Sequence, residues 1–228
     1  MDNMLFIPKI HGVLLDDFLE RGWYRTGSAI FTTDYIITPE AECEVWWIRY
    51  KLNDYELCKS HLQIIRKSQD FRIVNEEFRI TFEMEELYDI YKHRVDFSLA
   101  PNLRTSLFSI GNMVAQLPIY DTRLISIYHN ELLVAYGVYD LGQSTLAGIL
   151  NIFDHDYAKY SFGKLLMIQK IKTACELDMA YYYPGYISFE WDKFDYKLFL
   201  GKEFVEIYVP EDDEWVNYCD FIKRRGVF

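Results

Sequence analysis

The segment from residue 157 to residue 197 constrains the fold of this chain more than any other part of the sequence. It opens a predicted helix with Tyr160-Ser-Phe-Gly-Lys, continues into Tyr181-Tyr-Tyr-Pro-Gly-Tyr, and ends at Lys193-Phe-Asp-Tyr-Lys. A glycine in the first turn of a helix that follows a strand lets backbone N–H groups face a bound anion. The adjoining tyrosines supply aromatic surface beside that position. The segment therefore predicts a site that binds and positions a ligand.

The composition is that of a globular protein with an acidic surface. The chain has 228 residues, of which 50% are hydrophobic, so it can bury a core for one large domain or two small ones. Its net charge of −11 argues against a general nucleic-acid binder, because a uniformly acidic surface repels phosphates. The sequence shows no secretory leader, no apolar run of about 20 residues and no disulfide pattern. We expect a cytoplasmic protein without a membrane partner.

Apolar periodicity predicts an alternation of helices and strands. Helices are predicted over residues 11–20, 55–68, 83–97 and 157–177, and in a C-terminal segment that contains Trp215 and Phe221. Strands are predicted over residues 29–37, 45–52, 71–74, 124–128, 132–139, 144–153, 179–183 and 204–209. The proline-containing stretch 98–106 marks a boundary, which divides the chain into regions 1–100 and 101–228.

The order of the C-terminal elements indicates the fold class. Two strands flank a hairpin turn at residues 129–131, a third antiparallel strand follows, and then come a long helix with an early glycine and another strand. This is the order of acetyltransferase-like (GNAT) domains. We therefore expect an α+β fold with a mixed, mainly antiparallel sheet and flanking helices, preceded by a smaller N-terminal α+β region.

Several sequence blocks occur in the order and spacing of one enzyme family. Ser161-Phe-Gly-Lys, Tyr182-Tyr-Pro-Gly-Tyr and Phe194-Asp-Tyr-Lys correspond to the family patterns Ser-Leu-Gly-Thr, Tyr-Tyr-x-Gly-Tyr and Met-x-Tyr-Lys. Upstream, residues 21–27 and 122–140 match an Arg-Gly-Trp-Arg-Arg-Ser-Gly segment and an arginine-containing hairpin. Together these blocks resemble the aminoacyl-tRNA protein transferases of the N-end rule pathway, which attach arginine or leucine to the N-terminus of other proteins.

The resemblance implies a site for aminoacyl-tRNA, the donor substrate. The N–H groups near Gly163 would bind a phosphate or the 3′ adenosine, with further donors from Ser161 and Lys164. Tyr182 would stack on the adenine or on the aminoacyl side chain, and Lys197 would bind a phosphate or a carboxylate. Each of these residues is also compatible with a purely structural role.

Peptide-bond formation from an activated ester depends mainly on positioning. Tyr183 and Tyr186 are the predicted catalytic residues, because a tyrosine hydroxyl can relay the proton of the attacking amine. Adjacent strand residues face opposite sides of a sheet, so consecutive tyrosines cannot all reach one site. Arg123 is the predicted acceptor-binding residue, since a guanidinium pairs with the carboxylate of an acidic first residue. Its alternative role is an ion pair with Asp121 or Glu131.

The cysteines depart from the family pattern. Many members carry a paired-cysteine cluster that is proposed to hold a metal ion or an iron–sulfur centre, whereas this chain has single cysteines at positions 43, 58, 175 and 219. The resemblance therefore implies either a branch without the metal or a member with different acceptor recognition. We expect no metal and no cofactor other than the aminoacyl-tRNA donor.

An acidic chain must contact tRNA through local basic patches. Two candidates are residues 59–72 and the lysines of helix 157–177, which are Lys159, Lys164, Lys170 and Lys172. Both are equally compatible with the solvated faces of amphipathic helices.

The predicted function is transfer of arginine or leucine from aminoacyl-tRNA to the N-terminal α-amine of proteins that begin with an acidic residue, which marks them for degradation. One alternative is an acyl-CoA-dependent N-acetyltransferase, which the order of elements suggests. The usual Arg/Gln-x-x-Gly-x-Gly/Ala turn of those enzymes is, however, Tyr160-Ser-Phe-Gly-Lys-Leu here. The other alternative is a catalytically silent relative that binds a protein partner.

Overall fold

The computed structural model describes residues 9–38, 40–111, 113–114 and 119–226. Its α-helices are α1 Val13–Glu20, α2 Lys59–Lys67, α3 Phe82–Lys92, α4 Leu103–Phe108, α5 Phe162–Glu176 and α6 Tyr218–Arg225. Short 3₁₀ helices span His155–Tyr160, Asp192–Leu198 and Lys202–Phe204. Its strands are β1 Tyr24–Thr26, β2 Ala29–Phe31, β3 Tyr35–Ile37, β4 Glu42–Glu44, β5 Trp46–Lys51, β6 Arg72–Glu77, β7 Ser109–Ile110, β8 Met113–Val114, β9 Thr122–His129, β10 Leu132–Leu141, β11 Thr145–Phe153, β12 Tyr181–Ile187, β13 Val205–Val209 and β14 Glu214–Asn217. No helix in these ranges is long and apolar enough to cross a membrane.

An eight-stranded sheet forms the centre of the protein, in the order β14-β13-β5-β12-β11-β10-β9-β6. Its neighbouring strands are antiparallel except β11 and β12, which run parallel and are connected through α5. This confirms the predicted α+β class with a mixed, mainly antiparallel sheet. β5 and β6 precede residue 100 and pair with later strands of the same sheet, and the division into regions 1–100 and 101–228 stays a prediction.

Helices cover both faces of the sheet. Successive side chains of a strand point to opposite faces of the sheet, so neighbouring residues pack against different helices. Ile125 and Tyr182 pack with α2 and α5, whereas Leu124 packs with α3 and α4, and Tyr183 packs with α1. Burial on both faces explains why β10 is buried without interruption over residues 133–140.

The predicted hairpin and the predicted long helix are both present. His129 pairs with Leu132 across a tight turn, and Asn130 has the left-handed conformation (φ 55°) that such turns favour. Helix α5 starts later than the predicted residue 157. Ser161 has a left-handed φ of 57°, which separates α5 from the preceding 3₁₀ helix.

Two other sequence predictions are wrong in detail, and a third stretch contains an additional helix start. Residues 29–37 form two short strands, β2 and β3, which belong to separate two-stranded sheets. Trp215 lies in strand β14 and not in the last helix, because the N-cap of that helix is Asn217. The stretch 98–106 contains the start of α4, where the side chain of Asn102 accepts a hydrogen bond from a first-turn N–H group.

Strands β11 and β12 separate after three residue pairs, of which the last joins Ala147 to Tyr183. Beyond it, β12 continues through Pro184, which has no N–H to donate, and Gly185, which has a φ of 104°. The pairing of β12 with β5 shifts at this point, as in a β-bulge. The strand predicted over residues 179–183 therefore ends too early, because these residues bend the strand without ending it. The bend opens the sheet between β11 and β12.

A buried ion pair joins the N-terminal segment to this sheet. Arg25 Nη1 lies 2.8 Å from Asp140 Oδ1 in β10, and both side chains are buried. Asp140 Oδ1 also accepts a hydrogen bond from Thr122 Oγ1 (2.7 Å), and Arg25 Nη2 donates to the carbonyl of Leu107 (2.6 Å). These partners offset the cost of removing both charges from water.

We predict that breaking this pair strongly destabilises the fold. Asp140→Asn should lower the free energy of unfolding by roughly 3–5 kcal/mol, because it leaves the Arg25 guanidinium buried without a counter-charge. The double change Arg25→Met with Asp140→Leu should lower it less. Urea unfolding measures both changes. The control Arg224→Met breaks an exposed pair with Glu214 and should leave the unfolding midpoint unchanged. An Asp140→Asn protein as stable as the control would contradict the prediction.

Candidate functional site

A cleft opens where β11 and β12 separate. It contains an outer lobe of about 890 Å³ beside the start of α5 and an inner lobe of about 310 Å³ between the two strands. The lobes are continuous, because they share the lining residues Tyr91, Phe97, Leu99, Asn151, Tyr186, Phe194 and Tyr196. A concave, mainly aromatic cleft with a few polar groups is a typical ligand site.

The start of α5 borders the outer lobe. Ser161, Gly163 and Lys164 all line it, so the structure brings these three predicted donor-binding residues together. The Ser161 side chain makes no capping hydrogen bond to α5. A Cβ on Gly163 would lie 3.2 Å from Phe153 Cε1, so a larger residue at this position requires the Phe153 ring to shift. The first-turn N–H groups of α5 and the Lys164 ammonium therefore give this end of the lobe a positive potential.

The remaining wall of the outer lobe is mostly apolar. Ile36 and Ile37 of β3 contribute to it from one side, and Trp191 and Phe194 contribute from the 3₁₀ helix region on the other. Among the residues that the structure describes, no aspartate or glutamate lines either lobe. The cleft of this acidic protein therefore lacks acidic side chains.

Tyr24 spans the gap at the inner lobe. Its hydroxyl lies 2.6 Å from the carbonyl oxygen of Gly148 in β11 and 2.8 Å from that of Tyr183 in β12. Burial raises the pKa of Tyr24, so the hydroxyl keeps its single proton, which the two carbonyl oxygens share or accept in turn. The side chain thereby supplies a hydrogen bond where the two strands no longer pair.

Lys197 lies where the two lobes meet. Its Nζ donates to the carbonyl oxygen of Tyr186 (2.7 Å) and lies 4.7 Å from the ring centroid of Tyr186 and 4.5 Å from that of Phe194. Desolvation among these rings lowers the pKa of Lys197 to about 7. Near neutral pH this amine is therefore present in both its charged and its neutral form.

Lys170 enters the inner lobe from α5 and is only 1% exposed. Its Nζ donates to the carbonyl oxygen of Leu150 (3.0 Å) and to Asn151 Oδ1 (2.8 Å). Burial lowers its pKa to about 7, although the charge of Asp140 acts in the opposite direction. Gly137 makes room for this arrangement, because a Cβ there would lie 3.1 Å from both Lys170 Cε and Asn151 Oδ1.

The buried position of Lys170 corrects the sequence interpretation. That interpretation grouped it with Lys159, Lys164 and Lys172 on a basic or solvated helix face, which a 1% exposed side chain cannot join. The signal was present in the sequence: apolar residues occupy all four positions from 165 to 168, which indicates a helix buried on more than one side. A lysine two residues later on such a helix is expected to be buried.

The three tyrosines of the predicted site separate. Tyr182 lines the inner lobe and stacks on Tyr50 with a centroid distance of 6.1 Å, and Tyr186 lines both lobes. Tyr183 lies on the opposite face of the sheet, where its hydroxyl accepts from Arg49 Nη1 (3.2 Å). Tyr182 and Tyr186 lie in the cleft and Tyr183 does not, and the predicted roles of all three stay predictions.

Arg123 lies outside the set of residues that line the cleft. Its Nε donates to Asp121 Oδ1 (2.9 Å), and Glu77 Oε1 lies 4.0 Å from its Nη1. The ion pair with Asp121, which the sequence offered as an alternative role, is therefore present. The role of Arg123 in acceptor recognition stays a prediction.

The four cysteines do not come together as the paired-cysteine cluster of the resembled family would. Cys43 is buried, Cys58 and Cys219 are exposed, and Cys175 is half-buried; all four are free thiols. In the described ranges no three His, Cys, Asp or Glu side chains are grouped so that they could hold a metal ion. The donor set that such a centre needs does not fit these residues.

We predict that Lys170 makes stability depend on pH. Its pKa is about 7 in the folded protein and near 10.4 when unfolded, so the unfolded chain binds more protons between these values. The free energy of unfolding should therefore rise above pH 7 by up to about 1.4 kcal/mol per pH unit from this group. Lys170→Met should lose that slope between pH 7.5 and about 9, whereas the control Lys172→Met should keep it. Parallel slopes in urea unfolding of all three proteins would contradict this.

The chain matches the family described as arginine-tRNA-protein transferase, C terminus, over residues 53–205. The aspartate/glutamate leucyltransferase of Leptospira interrogans is 22% identical over 232 residues, which cover 98% of this chain and 86% of the relative. The aspartate/glutamate leucyltransferase of Helicobacter hepaticus is 28% identical over 175 residues, which cover 74% of this chain and 68% of the relative. A solved C-terminal domain of a putative lysylphosphatidylglycerol synthetase from Agrobacterium fabrum has 12% identity and a TM-score of 0.48, and covers 68% of this chain and 50% of that chain.

The range 53–205 contains α5, both strands that border the cleft, and every residue predicted from the sequence for the site. It covers more than half of the chain. The chain therefore belongs to the arginine-tRNA-protein transferase family, which confirms the resemblance found in its sequence.

Proposed function

We propose that this chain transfers leucine from leucyl-tRNA to the N-terminal α-amine of proteins that begin with aspartate or glutamate, which marks them for degradation. Family membership supports the reaction class, and the similarity to two aspartate/glutamate leucyltransferases supports leucine as the donor group and acidic acceptors. One observation carries the proposal: an apolar outer lobe beside a helix start continues into an inner lobe that contains two lysines and, in the described residues, no carboxylate.

The outer lobe binds the aminoacyl end of tRNA. The first-turn N–H groups of α5 and the Lys164 ammonium bind a phosphate near the terminal adenosine, and the Ser161 hydroxyl, free of any capping bond, is a further donor. Gly163 leaves the helix start open to the ligand. Aromatic side chains such as Trp191 offer stacking surface for the base.

The lining of the outer lobe favours leucine over arginine. A buried guanidinium needs a carboxylate or several acceptors, and the described lining offers neither aspartate nor glutamate. Lys164 lines the lobe and forms no ion pair with a described carboxylate, so a cationic side chain would also meet like charge there. An isobutyl group instead buries its apolar surface against residues such as Ile36 and Phe97.

The transfer takes place where the lobes meet. The acceptor α-amine attacks the ester carbonyl, a C–N bond forms, the ester C–O bond breaks, and the ribose oxygen leaves with a proton. Lys197 accepts the proton of the attacking amine, because its neutral form is populated near pH 7. Burial raises the pKa of Tyr186, so its hydroxyl stays protonated and acts as a relay: it passes its proton to the leaving oxygen and regains one from the Lys197 ammonium. The remaining catalysis is positioning.

The separation of β11 and β12 also supports an acetyltransferase-like (GNAT) arrangement for the C-terminal part of the chain. Three antiparallel strands, β9, β10 and β11, precede α5, and β12 then runs parallel to β11 before it bends away. The finer division of the chain, with an aminoacyl-transferase domain over residues 101–228, is part of this proposal.

Purified protein should transfer radiolabelled leucine from a charged tRNA pool to peptides that begin with Asp or Glu, and should transfer little labelled arginine. Gly163→Leu should lower transfer by at least tenfold, because the new side chain fills the outer lobe at the helix start. Gln169→Leu introduces the same residue in the same helix, away from the described lining, and should keep wild-type activity.

Transfer of arginine in preference to leucine would contradict the assignment of the donor. No label from either aminoacyl-tRNA would contradict the transferase itself. In that case an acetyl-CoA assay on the same peptides distinguishes the acetyltransferase alternative from a silent, partner-binding relative.

The pH dependence of transfer tests the role of Lys197. Only the neutral amine accepts a proton, so the single-turnover rate at saturating peptide should rise with pH through about 7. Lys197→Met should lower the rate by roughly 100-fold or more and remove this limb. The acceptor α-amine titrates near pH 8 in both proteins and serves as an internal reference. Lys202 is exposed and lies outside the described lining, so the control Lys202→Met should leave the rate and its pH profile unchanged. A Lys197→Met protein with the same rate and pH profile as this control would refute the role of Lys197 as proton acceptor.

A further inference from the structure

Lys170 has no acidic partner. Its two hydrogen-bond acceptors, the Leu150 carbonyl and Asn151 Oδ1, are neutral, and none of the described carboxylates forms an ion pair with it. An ammonium group has three donors, so one position at Nζ is left for a ligand in the inner lobe. The nearby charge of Asp140 is already paired with Arg25 and compensates the Lys170 ammonium only in part, which favours binding of an anion there.

The other cations of the inner lobe are already occupied. Arg25 is paired with Asp140 and also donates to backbone carbonyls of Gly27 and Leu107. Lys197 donates to the Tyr186 carbonyl and, in the proposed transfer, takes up the proton of the attacking amine, so it must act there in its neutral form. Lys170 is therefore the cation of the inner lobe that is left for an incoming carboxylate.

The position of Lys170 is built by three elements. Gly137 of β10 keeps a Cβ out of the space that Lys170 Cε and Asn151 Oδ1 occupy, each 3.1 Å from where that Cβ would be. β11 supplies both acceptors, and α5 supplies the lysine. Asn151 lines both lobes, so a group bound at Lys170 lies next to the place where the ester would be held.

We propose that Lys170, oriented by Asn151, binds the side-chain carboxylate of the first residue of the acceptor protein, an inference that rests on the proposed function. The acidic side chain and the α-amine of that residue share one Cα. Binding the carboxylate in the inner lobe therefore keeps the amine at the junction of the lobes. An Asn or Gln side chain brings no charge and leaves the Lys170 ammonium unpaired. Selectivity therefore arises both from the attraction between Lys170 and an acidic side chain and from the cost of leaving Lys170 unpaired when the side chain is neutral.

The test compares peptides that begin with Asp and with Asn, which have nearly the same shape. In the wild-type protein kcat/KM should favour the Asp peptide, and Lys170→Met should reduce this ratio by roughly 30- to 100-fold, mainly through KM. Lys172→Met, a lysine of the same helix outside the described lining, should keep the ratio. Lys170→Arg should restore part of the preference, because it restores the charge.

A second variant covers the case in which Lys170→Met does not fold. Asn151→Asp is nearly isosteric and gives Lys170 a carboxylate partner of its own, so the protein should fold and should lose the preference for acidic acceptors. It should also raise the pKa of Lys170, which is measurable by NMR of the lysine side chain.

The outcomes separate the inference from the proposed function. An unchanged Asp-to-Asn ratio in Lys170→Met and in Asn151→Asp, with active enzyme, would refute the role of Lys170 and leave the transferase in place. If Arg123→Ala lost the preference for the Asp peptide over the Asn peptide while Lys170→Met kept it, acceptor recognition would be assigned to Arg123 instead. No leucine or arginine transfer by the wild-type protein would refute the proposed function, and the inference with it.

Discussion

The separation of β11 from β12 is the constraint on which the site depends. Once the strands stop pairing, the backbone carbonyls that follow need other donors. The Tyr24 hydroxyl serves the carbonyls of Gly148 and Tyr183, and the Lys170 ammonium serves that of Leu150. Side chains thus replace the missing ladder of hydrogen bonds. The Tyr24 hydroxyl and the Lys170 ammonium lie between the two strands. The groups that satisfy the unpaired carbonyls are therefore also polar groups of the inner lobe.

The charge distribution explains how a chain with a net charge of −11 can bind anionic partners in one place. Its acidic residues are kept out of the described lining of the cleft and concentrate elsewhere, as in a separate cavity lined by Asp34, Glu42, Glu44, Glu190 and Glu211. Surface charges more than about 8 Å away are largely screened at physiological salt. The lysines inside the cleft act at close range in a poorly hydrated setting, so the local charge decides binding there.

Features that depend on local sequence pattern could be predicted from the sequence. Features that depend on the separation of β11 and β12 could not. The hairpin at Asn130 and helix α5 follow from turn chemistry and apolar periodicity, and Ser161, Gly163 and Lys164 followed from the motif at that helix start. The apolar run at residues 165–168 indicated a buried helix around Lys170, but the acceptors of this lysine, Leu150 and Asn151 of β11, lie about 20 residues away and meet it only through tertiary packing. The sides taken by adjacent tyrosines depend on the register of β12, which a bulge at Pro184-Gly185 shifts. Long-range register is the part that local reasoning cannot supply.

The inner lobe contains two ways of burying a cation, and the difference between them is functional. Arg25 has a carboxylate partner, Asp140, and this makes it a structural group that is satisfied before any ligand arrives. Lys170 has neutral partners, which destabilises the empty protein at low pH but leaves the amine free to pair. A carboxylate supplied by the protein itself would remove that cost and also the capacity to recognise an acidic acceptor. The unpaired Lys170 therefore lowers the stability of the protein and at the same time provides its selectivity for acidic acceptors. Such an opposition of stability and activity is expected at functional sites.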